Sequence, residues 1–439
     1  MLNLIQWPQG RLNDPVHAYQ IYHSGRYLIS LIISVIMVKC GIPSSDLGDF
    51  ELIIFIVASF SFFWSVGIKN ALISFYPKVD EKSQNTFLHT AFVILIFIGF
   101  ISGLFIMIFP HIVSYIFAKQ GKISYLNLAG LYLILSSPLL MTENVLLLRR
   151  DASGLFYYLL WSSGGTLFLA ISVALFYPSI QGFLYTLIVF SFFRLIYLCY
   201  IIKFFRFPEI DLTVAKTFLL FSLPIIINVF IGSAMDFIDG WFVTKYYDAT
   251  TFVIFRYGAR ELPLSMVLYT SLSAALIPTL MSGGIKSHEL KRRATNLMHY
   301  IFPVTILLIF TSPFLFTWAY SRDFRESAFI FNIYLLILTS RVLLPQAYNF
   351  ALHQHKVIIY TGIIEVLCNI ILSYWWMHIW GVYGLAFATV AAYFVQKVLL
   401  IIYNKLKNGI ELNQYIDFKY YFVYSIMLFV SLYCSFKFH

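Results

Sequence analysis

Apolar runs of about 20 residues, each long enough to cross a ~30 Å hydrocarbon layer as a helix, recur along the whole chain between short polar joints. Windows of that length place spans near 22 to 42, 50 to 77, 86 to 117, 124 to 148, 153 to 177, 182 to 204, 215 to 246, 250 to 281, 293 to 318, 326 to 350, 356 to 378, 380 to 405 and 419 to 437. The pattern predicts an all-α polytopic membrane protein with about 12–14 transmembrane helices. A short internal echo accompanies it. Asp46 and Phe50 open a segment ending in Ala71-Leu72-Ile73, and Asp248 and Phe252 open one ending in Ala275-Leu276-Ile277. Each falls in the second span of a six-span half, and internal repeats of this kind are common in transporter folds. The expected organisation is an N-terminal segment 1–21, a first lobe 22–204, a linker 205–214, a second lobe 215–405 and an extra C-terminal helix within 406–439.

Composition agrees with lipid as the main solvent. The chain is 60 % hydrophobic and 11 % charged, with a mean hydropathy of +0.81, whereas soluble domains carry about 25 % charged residues. No polar stretch is long enough to form a soluble catalytic head, so an enzyme is not expected. The first 25 residues carry Arg11, Asp14, His17 and His23 without an early apolar core, unlike a cleaved signal peptide. Cys40, Cys199, Cys368 and Cys434 show no CxxC spacing and no Cys/His cluster, so neither a disulfide framework, a metal site nor a cofactor is expected. The formal charge of +10 lies in the joints and alternates. Arg149, Arg150, Lys291, Arg292, Arg293, Lys405 and Lys407 share one side, while the other holds only Lys119, Lys122, Lys245, Arg322, Arg325 and Lys437. The positive-inside rule then puts the N-terminus in the cytoplasm and accounts for the basic balance without nucleic acid.

An ionisable side chain near the bilayer centre costs about 2.5–3.5 kcal/mol on insertion scales, so each needs a partner, a wet cavity or a function. The informative ones are Lys69, Glu143, Arg194, Asp236, Asp239, Arg256, Arg260, Glu261, Arg341 and Glu365. Counting ~1.5 Å per residue puts Asp236 on one span and Arg260 on its antiparallel neighbour near the midplane, with Asp239 and Arg256 of the same two spans at a shared shallower level. The i,i+3 acids and i,i+4 arginines each occupy one helix face. Two readings stay open: buried ion pairs that fix helix packing, or a cationic site for a phosphate-bearing cargo, released when the acids reclaim the arginines. Arg341 and Glu365 read as a structural pair. Lys69 and Arg194 have no obvious partner and read as cavity-wall residues, and Glu143, close to Arg149 and Arg150, reads as a solvated helix end. Pro138, Pro224, Pro263, Pro278, Pro313 and Pro345 permit kinks within spans. Trp375, Trp376 and Trp380 read as interfacial anchors.

Several segments resemble one family. Ser222-Leu223-Pro224, Asp239, Phe252 to Gly258 and Ala274 to Pro278 resemble the start of the second half of polysaccharide-type flippases of the multidrug/oligosaccharidyl-lipid/polysaccharide (MOP) exporter superfamily. Gly381-Val382-Tyr383-Gly384-Leu385-Ala386-Phe387-Ala388-Thr389 looks like their GxxGAAxAT-type twelfth helix. Gly67-Ile68-Lys69-Asn70-Ala71, followed by Phe75-Tyr76-Pro77-Lys78, resembles the end of their second helix. The resemblance covers most of the chain and implies two six-helix lobes around a central cavity. It also implies alternating access and movement of an undecaprenyl-diphosphate-linked glycan across the bacterial inner membrane. Lipid II flippases of the same superfamily use basic residues of the first, second and eighth helices for the cargo diphosphate. By helix position these correspond to Arg26, Lys69, Arg256 and Arg260, with Arg194 a further candidate. Asp236, Asp239, Glu261, Arg341 and Glu365 would form the charge or ion-coupling network, with H+ or Na+ as the ion. Membrane lipid and glycan polymerase machinery are the other expected partners. A cation-coupled multidrug exporter of the superfamily and a membrane-embedded glycan polymerase or ligase are the alternatives. The first calls for more acidic cavity walls, the second for longer outer loops.

Overall fold

The computed structural model describes residues 14–119, 121–205, 209–259, 287–414 and 416–438, and the described residues form helices joined by short turns, with no strand among them. Eleven of their helices are long and apolar enough to cross a membrane. A twelfth span is formed if Arg322–Arg341 and Pro345–Ala351, bent by 47° at their junction, count as one. The protein is an all-α polytopic membrane protein. Of the span expected at 250 to 281 only the start is described, so Arg260, Glu261, Pro263 and Pro278 lie outside the described residues.

The chain divides into two compact units, Met1–Phe230 with Asp248–Thr250, and Ile231–Tyr247 with Thr251–His439. The first contains α1 (Pro15–Lys39), α2 (Ser44–Phe75), α3 (Gln84–Ile108), α4 (Pro110–Phe117), α5 (Leu126–Ser136), α6 (Leu140–Leu148), α7 (Ala152–Tyr158), α8 (Gly165–Phe176) and α9 (Ile180–Ile201). It also takes the first part of α10 (Leu212–Tyr246), which passes from one unit into the other at Phe230. Buried Ile68, Leu72, Phe87, Leu88, Leu95, Met141, Leu198 and Phe218 knit α2, α3, α6, α9 and α10 into its core. Lipid offers helices little hydrophobic incentive to associate, so close backbone packing has to contribute. A Cβ on Gly103 would lie 2.6 Å from the Gly130 carbonyl oxygen, which brings α3 and α5 into backbone contact.

Helix breaks in this unit have local causes. Phe109 leaves the helical region (φ −114°, ψ 51°) and Pro110 starts α4, so the expected span 86 to 117 is a helix of 25 residues followed by a separate short one. Pro138 sits in a 3-10 turn, Ser137–Leu139, that separates α5 from α6. A π-helical turn, Leu159–Gly164, joins α7 to α8. Pro224 and Pro313, by contrast, lie inside continuous helices.

The second unit holds the rest of α10, most of α11 (Ala249–Gly258), α12 (Ser287–Ala319), α13 (Arg325–Leu335), α14 (Ile337–Arg341), α15 (Pro345–Ala351), α16 (His355–Trp380), α17 (Val382–Asn408) and α18 (Phe418–Phe438). A single residue, Gly381 at φ +59°, turns α16 into α17. Three residues on, a Cβ at Gly384 would be 2.1 Å from the Trp376 carbonyl oxygen. The GxxG sequence thus allows a reversal that any side chain would obstruct. Asn332 bonds Ser312 Oγ (2.7 Å) and Ser435 Oγ (3.2 Å), tying α12, α13 and α18 together. Such amide and hydroxyl bonds help to hold helices together in lipid.

Candidate functional site

Four residues of one helical stripe, Tyr19, Tyr22, His23 and Arg26, bring α1 against the middle of the first unit. Tyr22 stacks on Tyr158 and Tyr158 on Tyr197, each pair 5.5 Å between ring centroids, which fixes α1 against α7 and α9. Glu143 lies in the first turn of α6. The break at Pro138 places this helix start within the span, and the positive end of the helix dipole favours a carboxylate there. Lys69 of α2 donates to Glu143 Oε1, Arg26 Nη1 donates to Oε2 at 3.4 Å, and His23 Nε2 stands 3.5 Å from Oε1. The Glu143 side chain is 1 % exposed, Lys69 13 %, His23 40 % and Arg26 47 %. Two permanent cations therefore converge on one carboxylate, and the positive charge increases toward the open side of the cluster. Tyr19 borders it, with its ring 5.7 Å from Lys69 Nζ and its hydroxyl donating to Asn144 Oδ1 at 3.4 Å.

This geometry corrects two sequence expectations. Glu143 is not a solvated helix end, and Lys69 is not without a partner. Glu143 does lie six residues before Arg149, but side chains of α1 and α2 close over it and bury it. Arg149 is itself engaged, donating to the Ile201 carbonyl at 2.6 Å. Arg194 is also partnered, through Nη2 to Ser162 O and Thr166 Oγ1, both at 2.8 Å. Ser162 lies in the π-helical turn, whose altered register frees backbone carbonyls. Arg194 stabilises that irregularity instead of reaching toward Glu143.

In the second unit the i,i+3 acids have unlike environments. Asp236 is exposed, while Asp239 is buried. Asp239 Oδ2 accepts from Tyr334 Oη at 2.6 Å and from Thr389 Oγ1, and Asn369 Nδ2 donates to Thr389 Oγ1 at 2.9 Å. The expected arrangement, in which both acids use one face toward the arginines, is replaced for Asp239 by hydroxyl donors from α13 and α17. Asp239 Oδ1, Asn369 Oδ1 and Ser373 Oγ are buried without a partner among the described residues. Deeper along the same helices, Glu365 lies in the field of both Lys397 and Arg341, and Arg341 stands 5.7 Å from the Tyr393 ring centroid. The Arg341–Glu365 reading therefore gains a third member that the sequence reading missed. Lys397 was visible eight residues inside its span and belonged in the same census of intramembrane charges. Arg256 is partly buried on α11 in this unit.

The profile of the polysaccharide biosynthesis protein family matches residues 42–329, more than half of the chain. The chain belongs to the polysaccharide biosynthesis protein family. Among curated proteins no match was found. The fold of this family member is similar to that of a lipid II flippase, MurJ, in an inward closed conformation. That match has TM-score 0.70 and 18 % identity, and covers 95 % of this chain and 91 % of the other. It is also similar to an inward-facing multidrug resistance MATE family transporter, with TM-score 0.63 and 15 % identity, covering 88 % and 94 % of the two chains. A MOP superfamily transporter from Pyrococcus furiosus gives 0.55 and 15 %, covering 91 % and 97 %. The polysaccharide-family chain thus has the MOP superfamily fold that Ser222–Pro224, Gly67–Ala71 and Gly381–Thr389 pointed to.

Proposed function

We propose that this protein is a flippase that moves an undecaprenyl-diphosphate-linked oligosaccharide, such as an O-antigen or capsule repeat unit, across the bacterial inner membrane. The observation that carries the reading is the convergence of Arg26 and Lys69 on the single carboxylate of Glu143, an excess of positive charge inside a polysaccharide-family membrane protein. Arginine binds phosphate oxygens through a planar fork and stays charged, whereas lysine supplies a compact point charge. Arg26 and Lys69 receive the diphosphate while the prenyl tail stays in lipid. Arg256 and Arg260 are further candidate diphosphate ligands in the second half of the chain. Two lobes alternate access to a central cavity, with the N-terminus in the cytoplasm. Asp239, buried with one carboxylate oxygen unpartnered, is the candidate carrier of coupling to an H+ or Na+ gradient. The exported unit then passes to glycan polymerase machinery.

The test is reconstitution in liposomes with a fluorescent undecaprenyl-diphosphate sugar, following its appearance in the opposite leaflet with and without an ion gradient. Arg26→Ala and Lys69→Ala are each expected to lower the rate at least about tenfold, the effect of losing ~1.4 kcal/mol of binding. Undiminished flipping in both folded variants rejects the cationic site. Gradient-driven movement of a cationic dye, with no flipping, favours the multidrug exporter instead.

A further inference from the structure

Glu143 is built like the anion that its cations would otherwise bind. Its two oxygens are divided between them, Oε1 facing Lys69 and His23 and Oε2 facing Arg26. The contacts are unequal. Lys69 donates a hydrogen bond to the carboxylate, while Arg26 at 3.4 Å and His23 at 3.5 Å are longer than the 2.7–2.9 Å of strong charge-assisted bonds. Those two longer contacts belong to the most exposed members of the cluster, so the hold is weakest where an incoming anion would arrive. The helix turn that carries Glu143 also holds unused polar groups. Thr142 Oγ1 and Asn144 Nδ2, on either side of it in α6, are fully buried and have no partner among the described residues. Polar groups left unsatisfied in a low-dielectric interior favour a second arrangement in which they are used. Tyr19 bonds Asn144 and has its ring beside Lys69.

We propose that Glu143 is an internal surrogate for the cargo's diphosphate: it neutralises Arg26 and Lys69 in the cargo-free protein, yields them to the diphosphate on loading, and reclaims them to drive release. The inference rests on the flippase reading and adds a regulator to its site. A transporter must let go of its cargo, and a fixed cationic site without a competitor would retain a diphosphate. The competing carboxylate weakens binding and in exchange sets the rate of release. Binding and turnover should therefore move in opposite directions when it is neutralised.

The experiment measures binding of undecaprenyl diphosphate to the full chain in nanodiscs, alongside flipping in liposomes. Glu143→Gln keeps the shape and removes the charge. It is expected to bind about tenfold more tightly, the equivalent of ~1.4 kcal/mol, and to flip more slowly. Glu143→Asp draws the charge back by one methylene and is expected to fall between wild type and Glu143→Gln. It carries the test alone if the glutamine variant does not fold. Wild-type binding that neither variant tightens overturns the surrogate while leaving the flippase reading intact. A wild type that binds no undecaprenyl diphosphate overturns both. Equal tightening toward phosphatidylglycerol in the nanodisc assigns the site to bulk lipid headgroups and also overturns the cargo role.

Discussion

Single residues carry unequal amounts of information in a chain of this kind. Because a charge in hydrocarbon is expensive, the census of intramembrane acids and bases located Lys69, Arg194, Asp239, Arg341 and Glu365 from sequence alone. Their partners were another matter. Glu143 meets Lys69 across 74 positions of sequence, and Asp239 meets Thr389 across 150, distances over which helical periodicity is silent. In the second unit the same chemistry predicts a measurable asymmetry. Glu365→Leu leaves Lys397 and Arg341 without their carboxylate, and removing one member of a buried charge cluster costs about 3–5 kcal/mol. Thermal unfolding in detergent should show that loss, and adding Lys397→Met should recover much of it. Equal stability of Glu365→Leu and wild type would mean that water reaches the cluster and screens it.

At the scale of helices, the apolar windows found nearly every described element but smoothed over its interruptions. The window at 86 to 117 ignored Pro110, although a proline is well placed to begin a new helix after a break. Pro138 and Pro345 were recognised as kink sites, whereas nothing in the local pattern announced the π-helical turn at Leu159–Gly164, since an added residue in a helical turn leaves no compositional trace. The GxxG of residues 381–384 was legible as a motif, and its physical reason became visible only with the Trp376 carbonyl beside Gly384. Gly384→Ala is accordingly expected to destabilise the α16–α17 pair by about 1–3 kcal/mol through overpacking. Limited proteolysis of the purified variant should show faster cutting near Gly381, and an unchanged digestion pattern would place the contact outside the stability-determining set.

For the molecule as a whole, the alternation of basic joints suggested a topology, and the repeat suggested two halves divided at the linker 205–214. The two compact units of the fold meet within α10, at Phe230. A long apolar helix can serve two compact bodies at once, and hydropathy cannot distinguish that from a helix belonging to one. The orientation itself is open to a direct measurement. Single cysteines introduced at Lys82 and Lys405, in a chain lacking Cys40, Cys199, Cys368 and Cys434, are expected to react with an impermeant maleimide only after the cytoplasmic face is opened. A cysteine at Lys119 should react in intact cells. Reversed labelling would invert the topology without altering the fold.

The hairpin of α16 and α17 also bears on how the chain is made. Glu365 and Asn369 on one helix have their complements, Lys397 and Thr389, on the other, and one glycine joins the two. Neither helix is well suited to wait by itself in hydrocarbon while the ribosome completes its neighbour, because each exposes mid-span polarity that the other helps to satisfy. The two are therefore expected to leave the translocon together, as a preassembled pair, so that the residues stabilising the finished protein also set the order in which its last third enters the bilayer.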